Sequence, residues 1–335
     1  MLAAMAQSGI RDQLDGGFHR AASDEAWVVP SFEKRAVDQA ALLQLYLAEP
    51  AFHWVARGIV DYLERRLLVG DEVLLGEAAD LGAYDDASHY TWTEAELAQV
   101  LDGELRRVAI RAFDVYGRGE LRSDPTRNVL FVAVENATLA AELGHSEPEI
   151  DALLFQVRKR LLTARDLRPR PPLDGPASDG TVAAICLALT AAAAPLGRPD
   201  LAKRAAQLRS RLARLPVGPG HLADHALIGL ALIGHHPEAA KRRADRILDE
   251  HDDGAAGFRD VPNPPFGHVQ HPVTDGVLPS ANALAGQLLV AVGTPDAMVR
   301  AARLAKDLIG DPAHRAVHTA GLQQLALATG ADANL

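Results

Sequence analysis

Helices that are apolar on every side recur along this chain, each opened by a polar residue and each followed by a helix wetted on one face. Their polar openings fall at Asp38, near Asp85, and at Asn136, Asp179, Asp224 and Asp275, roughly fifty residues apart. A helix apolar all round has to be covered on both sides, whereas an amphipathic one needs a single covered face. Six alternations of the two, one helical hairpin per period, are what a closed ring of hairpins requires. An open superhelix of TPR or HEAT type would show shorter periods and amphipathic helices throughout. The pattern predicts an all-α fold, an (α/α)6 toroid with short β-hairpins in its loops, formed by residues 1–335 as a single domain. In such a ring the loops leading into the inner helices gather at one end, so their polar residues are expected to converge on one pocket.

Local signals fill in this frame. A helix is expected over Leu2–Leu14, another from near Phe32 to Ala48, and an amphipathic one from Pro50 to about Val69. Apolar runs at Val73–Leu75 and Tyr90–Trp92 fit a small hairpin, and Asn128–Val134 is the longest strand-like run. Capping boxes at Thr93-x-x-Glu96 and Ser146-x-x-Glu149 mark two helix starts. From Ser178 onward the alternation is regular, with apolar helices at Ser178–Ala194, Leu222–Ile233 and Ser280–Val292.

A net charge of −10 and a pI near 5.7 argue against a nucleic-acid surface, which needs a basic stripe to displace counterions. The single Cys186, in the middle of an apolar helix, leaves no disulfide framework or CxxC site and reads as a small core residue. No run approaches the roughly 20 apolar residues of a membrane span. No basic region precedes the first apolar residues, so no signal peptide is expected and the cytoplasm is the expected compartment. Neither a membrane, a nucleic acid nor a cofactor is expected as a partner.

The most polar helix opening is Gly16–Asp38. If the helix that follows is buried all round, Asp38, Gln39 and Gln44 point inward, and an isolated buried carboxylate costs several kcal/mol unless partnered. A charge-assisted bond from Arg20 or His19 is the expected partner. The plainer alternative has Glu33 capping the helix and Asp38 pairing with Lys34.

The same residues resemble a known family. Gly16-Gly17-Phe18-His19-Arg20, Ser23-Asp24, Trp27-x-Val29-Pro30 and Phe32-Glu33-Lys34 are similar to the first motif of the helical domain in the spermatogenesis-associated, thioredoxin-fused proteins and their bacterial homologues. Tyr90-x-Trp92-Thr93, Arg168-x-Arg170-Pro171 with Asp174, Asp224 with Ala226, and Asp275-Gly276-x-x-Pro279-Ser280-x-Asn282 follow in the family's order. The resemblance implies a thioredoxin-like domain followed by a six-hairpin toroid, similar to the folds of sugar epimerases and of some glycoside hydrolases, hence six-hairpin glycosidase-like. Here the chain begins just upstream of the first toroid motif. Ser31 stands where the family has His, Val37-Asp38-Gln39 replaces Tyr-Asp-Asn, Glu77-Ala78-Ala79-Asp80 keeps part of an acidic cluster, and Ala223-Asp224-His225 replaces Asp-Asp-Tyr.

A toroid pocket with several carboxylates suits general acid and base work, and glycoside hydrolysis needs a pair of them. Glu33, Asp38, Asp224 and Asp275 are the catalytic candidates. His19, Arg20, Trp27, Trp92, Asp179, His225 and Asn282 are the ligand-binding ones. Each carboxylate can also be read as a cap or turn residue. Epimerases of this fold use paired histidines, and His19, His221, His225 and His268 or His271 are available, with no spacing that selects a pair. His221 and His225 share a helix face only if their helix already starts at His221, and no metal site is expected. Two functions follow. One is a toroid binding a small, sugar-like molecule, as a carbohydrate isomerase, epimerase or hydrolase-like enzyme. The other is a non-catalytic interaction module acting with a separate thioredoxin-like protein.

Overall fold

The structure, a computed structural model, describes residues 1–82, 87–309 and 320–330; the expected helix opening near Asp85 lies outside the described residues. The described chain is all-α apart from two short antiparallel pairs, as the sequence pattern predicts. It divides into two compact units, Met1–Pro176 and Ala177–Leu335.

The first unit contains α1 (Leu2–Gln7), α2 (Ala36–Leu47), α3 (His53–Tyr62), α4 (Glu94–Val100), α5 (Gly103–Phe113), α6 (Asn136–Leu143) and α7 (Glu147–Arg165). β1 (Lys34–Arg35) pairs with β4 (Gly76–Glu77), and β2 (Leu68–Val69) with β3 (Glu72–Val73). α2 packs on α3, while α4, α5 and α6 gather on α7 around Trp92, Leu97, Val108, Phe113, Leu139, Ile150 and Leu161. Both capping boxes form, with Thr93 and Ser146 at the helix starts.

Four local expectations are corrected here. α1 ends at Gln7, because the next residues are drawn into a loop in which the Asp12 amide donates to Gly17 O and the His19 amide to Ile10 O. α2 begins at Ala36, because Lys34–Arg35 is committed to β1 and Phe32 has a φ of +59°, which no helix tolerates. Asn128–Val134 is extended without being a strand. Its amides go to scattered partners, Asn128 to Trp92 O, Val132 to Gln7 O and Ala133 to Ala112 O, so no ladder forms. Gln44 is exposed with Leu45, and α6 buries only Leu139 and Ala140, so neither helix is covered all round.

The second unit contains α8 (Asp179–Ala193), α9 (Pro199–Ala213), α10 (Leu222–Leu232), α11 (Pro237–Arg246), α12 (Ala281–Val292), α13 (Pro295–Ile309) and α14 (Ala320–Thr329). α8, α10, α12 and α14 stand side by side in one layer, and α9, α11 and α13 cover their hairpin partners in a second. The apolar helices are buried round their circumference, Gly180 to Ala192 in α8 and Ala281 to Leu289 in α12, as helices apolar on all sides must be. Cys186 lies in this core, its thiol donating to Ala205 O. The first turn of α8 is capped by Ser178 and that of α12 by Ser280. No helix among the described residues is long and apolar enough to cross a membrane.

Candidate functional site

In the first unit the Gly16–Asp38 stretch wraps a buried ionic cluster. Gly16 has φ +76° and lies so close to α3 that a Cβ would sit 2.3 Å from Gly58 O; Gly17 has φ +69° and faces the Tyr62 ring. This tight turn presents Gly16 O to Lys34 Nζ at 3.1 Å, and Lys34 also donates to Asp12 Oδ2 at 2.7 Å. Arg165 donates to Asp12 Oδ1 at 2.9 Å. Burial alone would raise the Asp12 carboxyl, but Arg165 and Lys34 outweigh it and hold it well below the usual carboxylate range. Lys34 lies over the rings of Tyr62 and Tyr90. The gap bordered by Asp12, His19, Tyr90 and Arg165 is only about 10 Å³, too small for a ligand.

The expected ligand residues of this unit take up places around that cluster. His19 is buried, its Nδ1 2.9 Å from Phe32 O, and burial with the Lys34 charge lowers it to about 3, so the ring is neutral. Arg20 pairs with Glu33 at 3.6 Å, and Glu33 accepts from Arg35 Nε at 2.6 Å. Asp38 is buried, yet neither Arg20 nor His19 is its hydrogen-bond partner, and among the described residues its Oδ2 has none. The expected charge-assisted bond is thus corrected: Glu33 takes the arginines, and Lys34 is spent on Asp12 rather than on Asp38. Burial raises the Asp38 carboxyl against the pull of Arg20 and Arg35. Gln39, by contrast, is fully paired, accepting from Phe18 N and donating to Phe18 O. Trp27 is half-buried in a turn built by Asp24, whose carboxylate accepts from the amides of Ala26, Val28 and Val29. Trp92 is buried under Arg168, 3.8 Å from its ring centre, as a packing anchor.

In the second unit the starts of α8 and α10 bring several candidates together. The Gly180 amide donates to the Asp224 carboxylate, and Gly180 sits so close that a Cβ there would be 1.9 Å from Asp224 Oδ1. Burial raises Asp224, His221 opposes this, and the nearby charges of Asp179 and Asp260 add to it. Asp179 itself pairs with Arg211 at 3.3 Å. α10 starts at Leu222, so His221 and His225 do not share its face: His221 is exposed, whereas His225 is buried and accepts from Arg243 at 3.2 Å through Nδ1. Burial lowers His225 to about 4 with help from the Arg243 charge. Asp275 accepts from Ser280 N and Gly321 N, tying α12 to α14, and Asn282 holds Phe258 N, Phe258 O and Pro272 O. Both clasp backbone.

Beside this cluster lies a cavity of about 920 Å³ bordered by His221, Arg246, Glu250, Asp260, Phe266 and His268 among others. Asp260 Oδ2 is 3.0 Å from His221 Nδ1; a carboxylate only accepts, so Nδ1 carries a proton, and in the neutral ring Nε2 is the basic nitrogen. Arg246 is bound by Glu250. Of the histidines available in the sequence, His221 and His268 are the two that border this cavity. Asp260, Glu250 and Phe266 were not anticipated: Glu250 lies in the helical turn Ile247–His251 that continues α11, and Asp260 and Phe266 sit beside or in a proline-rich loop without periodicity, where residue type alone does not separate a wall from a turn. Among the described residues no group of three or more His, Cys, Asp or Glu side chains is disposed to hold a metal ion.

No protein-family model matches the chain. Among solved structures, the crystal structure of D-mannose isomerase aligns with 94% of this chain and 86% of its own at 13% identity and a TM-score of 0.40, a distant likeness. Spermatogenesis-associated protein 20 of Homo sapiens is 30% identical over 206 residues, 52% of this chain and 26% of the human protein. That of Mus musculus is 29% identical over 201 residues, 52% of this chain and 25% of the mouse protein. The match therefore spans about half of this chain and about a quarter of those relatives. Over that half the chain is similar to spermatogenesis-associated protein 20.

Proposed function

We propose that the second unit binds a small, uncharged, sugar-like ligand in the cavity bordered by His221 and His268, and moves a proton on it. The observation that carries this reading is the Asp260-held His221, with a free Nε2, on a cavity of about 920 Å³, a size that suits a small ligand. The charged groups there are already paired, Arg246 with Glu250 and His221 with Asp260, which leaves little to hold a phosphate and much to hold hydroxyls. It also favours proton transfer over hydrolysis, because the two carboxylates on the cavity act as counter-ions rather than as a free acid and base. In an aldose–ketose isomerisation or an epimerisation, His221 Nε2 takes the proton from the carbon beside the carbonyl. The protonated ring, or His268, returns a proton to a carbon of the resulting enediolate, the hydroxyl proton passing from one oxygen to the other where the carbonyl shifts. The proposal takes both units as one (α/α)6 toroid of residues 1–335, working in the cytoplasm without a cofactor.

The test is incubation with D-mannose, D-glucose or D-fructose in D2O, with proton NMR reading both saturation transfer to the sugar and loss of its C–H signal. Binding with deuterium incorporation is expected, and His221→Gln should abolish incorporation while binding persists. Binding without incorporation would favour the second reading, a non-catalytic module acting with a separate thioredoxin-like protein. That reading is supported by Asp275 and Asn282 being spent on backbone. Absence of binding to all three sugars would overturn the first reading.

A further inference from the structure

Phe266 is an anomaly that the cavity explains. It borders the cavity yet is fully exposed, at 106% of its reference area, and its backbone is left-handed, with φ 56° and ψ 18°. A bulky aromatic residue in this region is strained, and such strain persists where the surroundings enforce it. The surroundings do so here. Pro262 and Pro264 stiffen the loop, the Gly267 amide closes a turn onto Pro264 O at 3.1 Å, and Asp260 N donates to Gln270 O at 2.8 Å, joining the two legs of the loop. The same Asp260 accepts the Leu222 amide at 2.8 Å through its carbonyl, which fixes the base of the loop to the start of α10 and to His221. The ring is thus held in water at the rim of a cavity whose wall alternates prolines and Val261 with polar side chains such as His221, Asp260, His268 and Gln270. A flat apolar face beside hydroxyl-binding groups matches a sugar ring, which has a C–H face and a hydroxyl edge.

Building on the proposed sugar site, we propose that Phe266 is its stacking platform, which takes the C–H face of a cyclic sugar and selects it over an open-chain polyol. Phe266 is a specificity determinant here and moves no proton.

The experiment compares binding of D-mannose, a ring, with that of D-mannitol, its open-chain counterpart, to the full chain and to Phe266→Gly and Phe266→Trp. Phe266→Gly should weaken D-mannose binding about tenfold and leave D-mannitol unchanged. Its melting temperature should not fall, because glycine adopts the left-handed conformation without strain. Phe266→Trp should retain D-mannose binding, and its indole fluorescence should respond to the sugar. D-Mannose bound equally by the full chain and by Phe266→Gly would overturn the platform alone. A full chain that binds neither compound would overturn the site reading and the platform with it.

Discussion

Asp12→Ala is expected to be among the most destabilising single changes in the first unit. Asp12 pairs with Lys34 at 2.7 Å and Arg165 at 2.9 Å, and all three side chains are 3% exposed or less. Removing the carboxylate leaves two buried cations, with Asp15 3.8 Å from Arg165, and Gly16 O and the rings of Tyr62 and Tyr90 beside Lys34. Breaking a buried pair in this way costs about 3–5 kcal/mol. For a unit of this size each kcal/mol lowers the melting temperature by about 2–4 °C, so a fall of roughly 10 °C is expected by circular dichroism. Asp12→Asn, which keeps the shape and part of the hydrogen bonding, should cost less. Because the Asp12 carboxyl is held well below its usual range, its contribution is present above the unfolded value of about 4 and is lost only as pH falls through the lower folded value. The gap between wild type and Asp12→Ala should therefore be as large at pH 5 as at pH 7. A cost below about 1 kcal/mol, the range of a solvated pair, would refute the reasoning.

Three further outcomes follow from the same geometry. His19 is lowered to about 3 by burial and Lys34, so between pH 6.5 and 3 the unfolded chain binds a proton that the folded one does not, and stability falls as pH drops through that window. His89 and His225, each lowered to about 4, act in the same direction, so His19→Asn should flatten the loss of urea midpoint between pH 7 and 5 without abolishing it; identical slopes would contradict this. Asp38→Asn should raise the melting temperature at pH 7, by the equivalent of about 1 kcal/mol, because it removes a buried carboxylate with an unpaired oxygen; a fall would reveal a partner. Asn282→Ala should cost about 3 kcal/mol through three lost backbone bonds and speed hydrogen exchange at the Phe258 amide, and unchanged exchange would deny the clasp.

The periodic features were legible in the sequence, and the irregular ones were not. α8, α10 and α12 lie within a residue or two of where their apolar runs put them, and the Thr93 and Ser146 capping boxes form, because these signals depend on local chemistry. The importance of Gly16–Asp38 was visible as a density of polar residues. Its wiring was not: Lys34 and Arg165 meet at Asp12 across the fold, and no spacing links residue 12 to residue 165. Phe32, which read as a helix start, carries a positive φ that sequence does not reveal. In the second unit Asp179, Asp224 and His225 were found as helix-opening residues, whereas Asp260 and Phe266 come together with His221 through a long proline-rich loop. Asp275 and Asn282 show the limit of residue type as a guide, since a carboxylate or an amide that clasps backbone looks the same in sequence as one that meets a ligand.

The most direct test of the proposed site is an NMR titration of the histidine side chains with D-mannose. If the cavity is the ligand site, the ring signals of His221 and His268, which border it, should shift in a saturable way, while those of His53 in the first unit stay in place. Signals of His221 and His268 that do not move while the sugar binds, or a shift of equal size at all three rings, would contradict it.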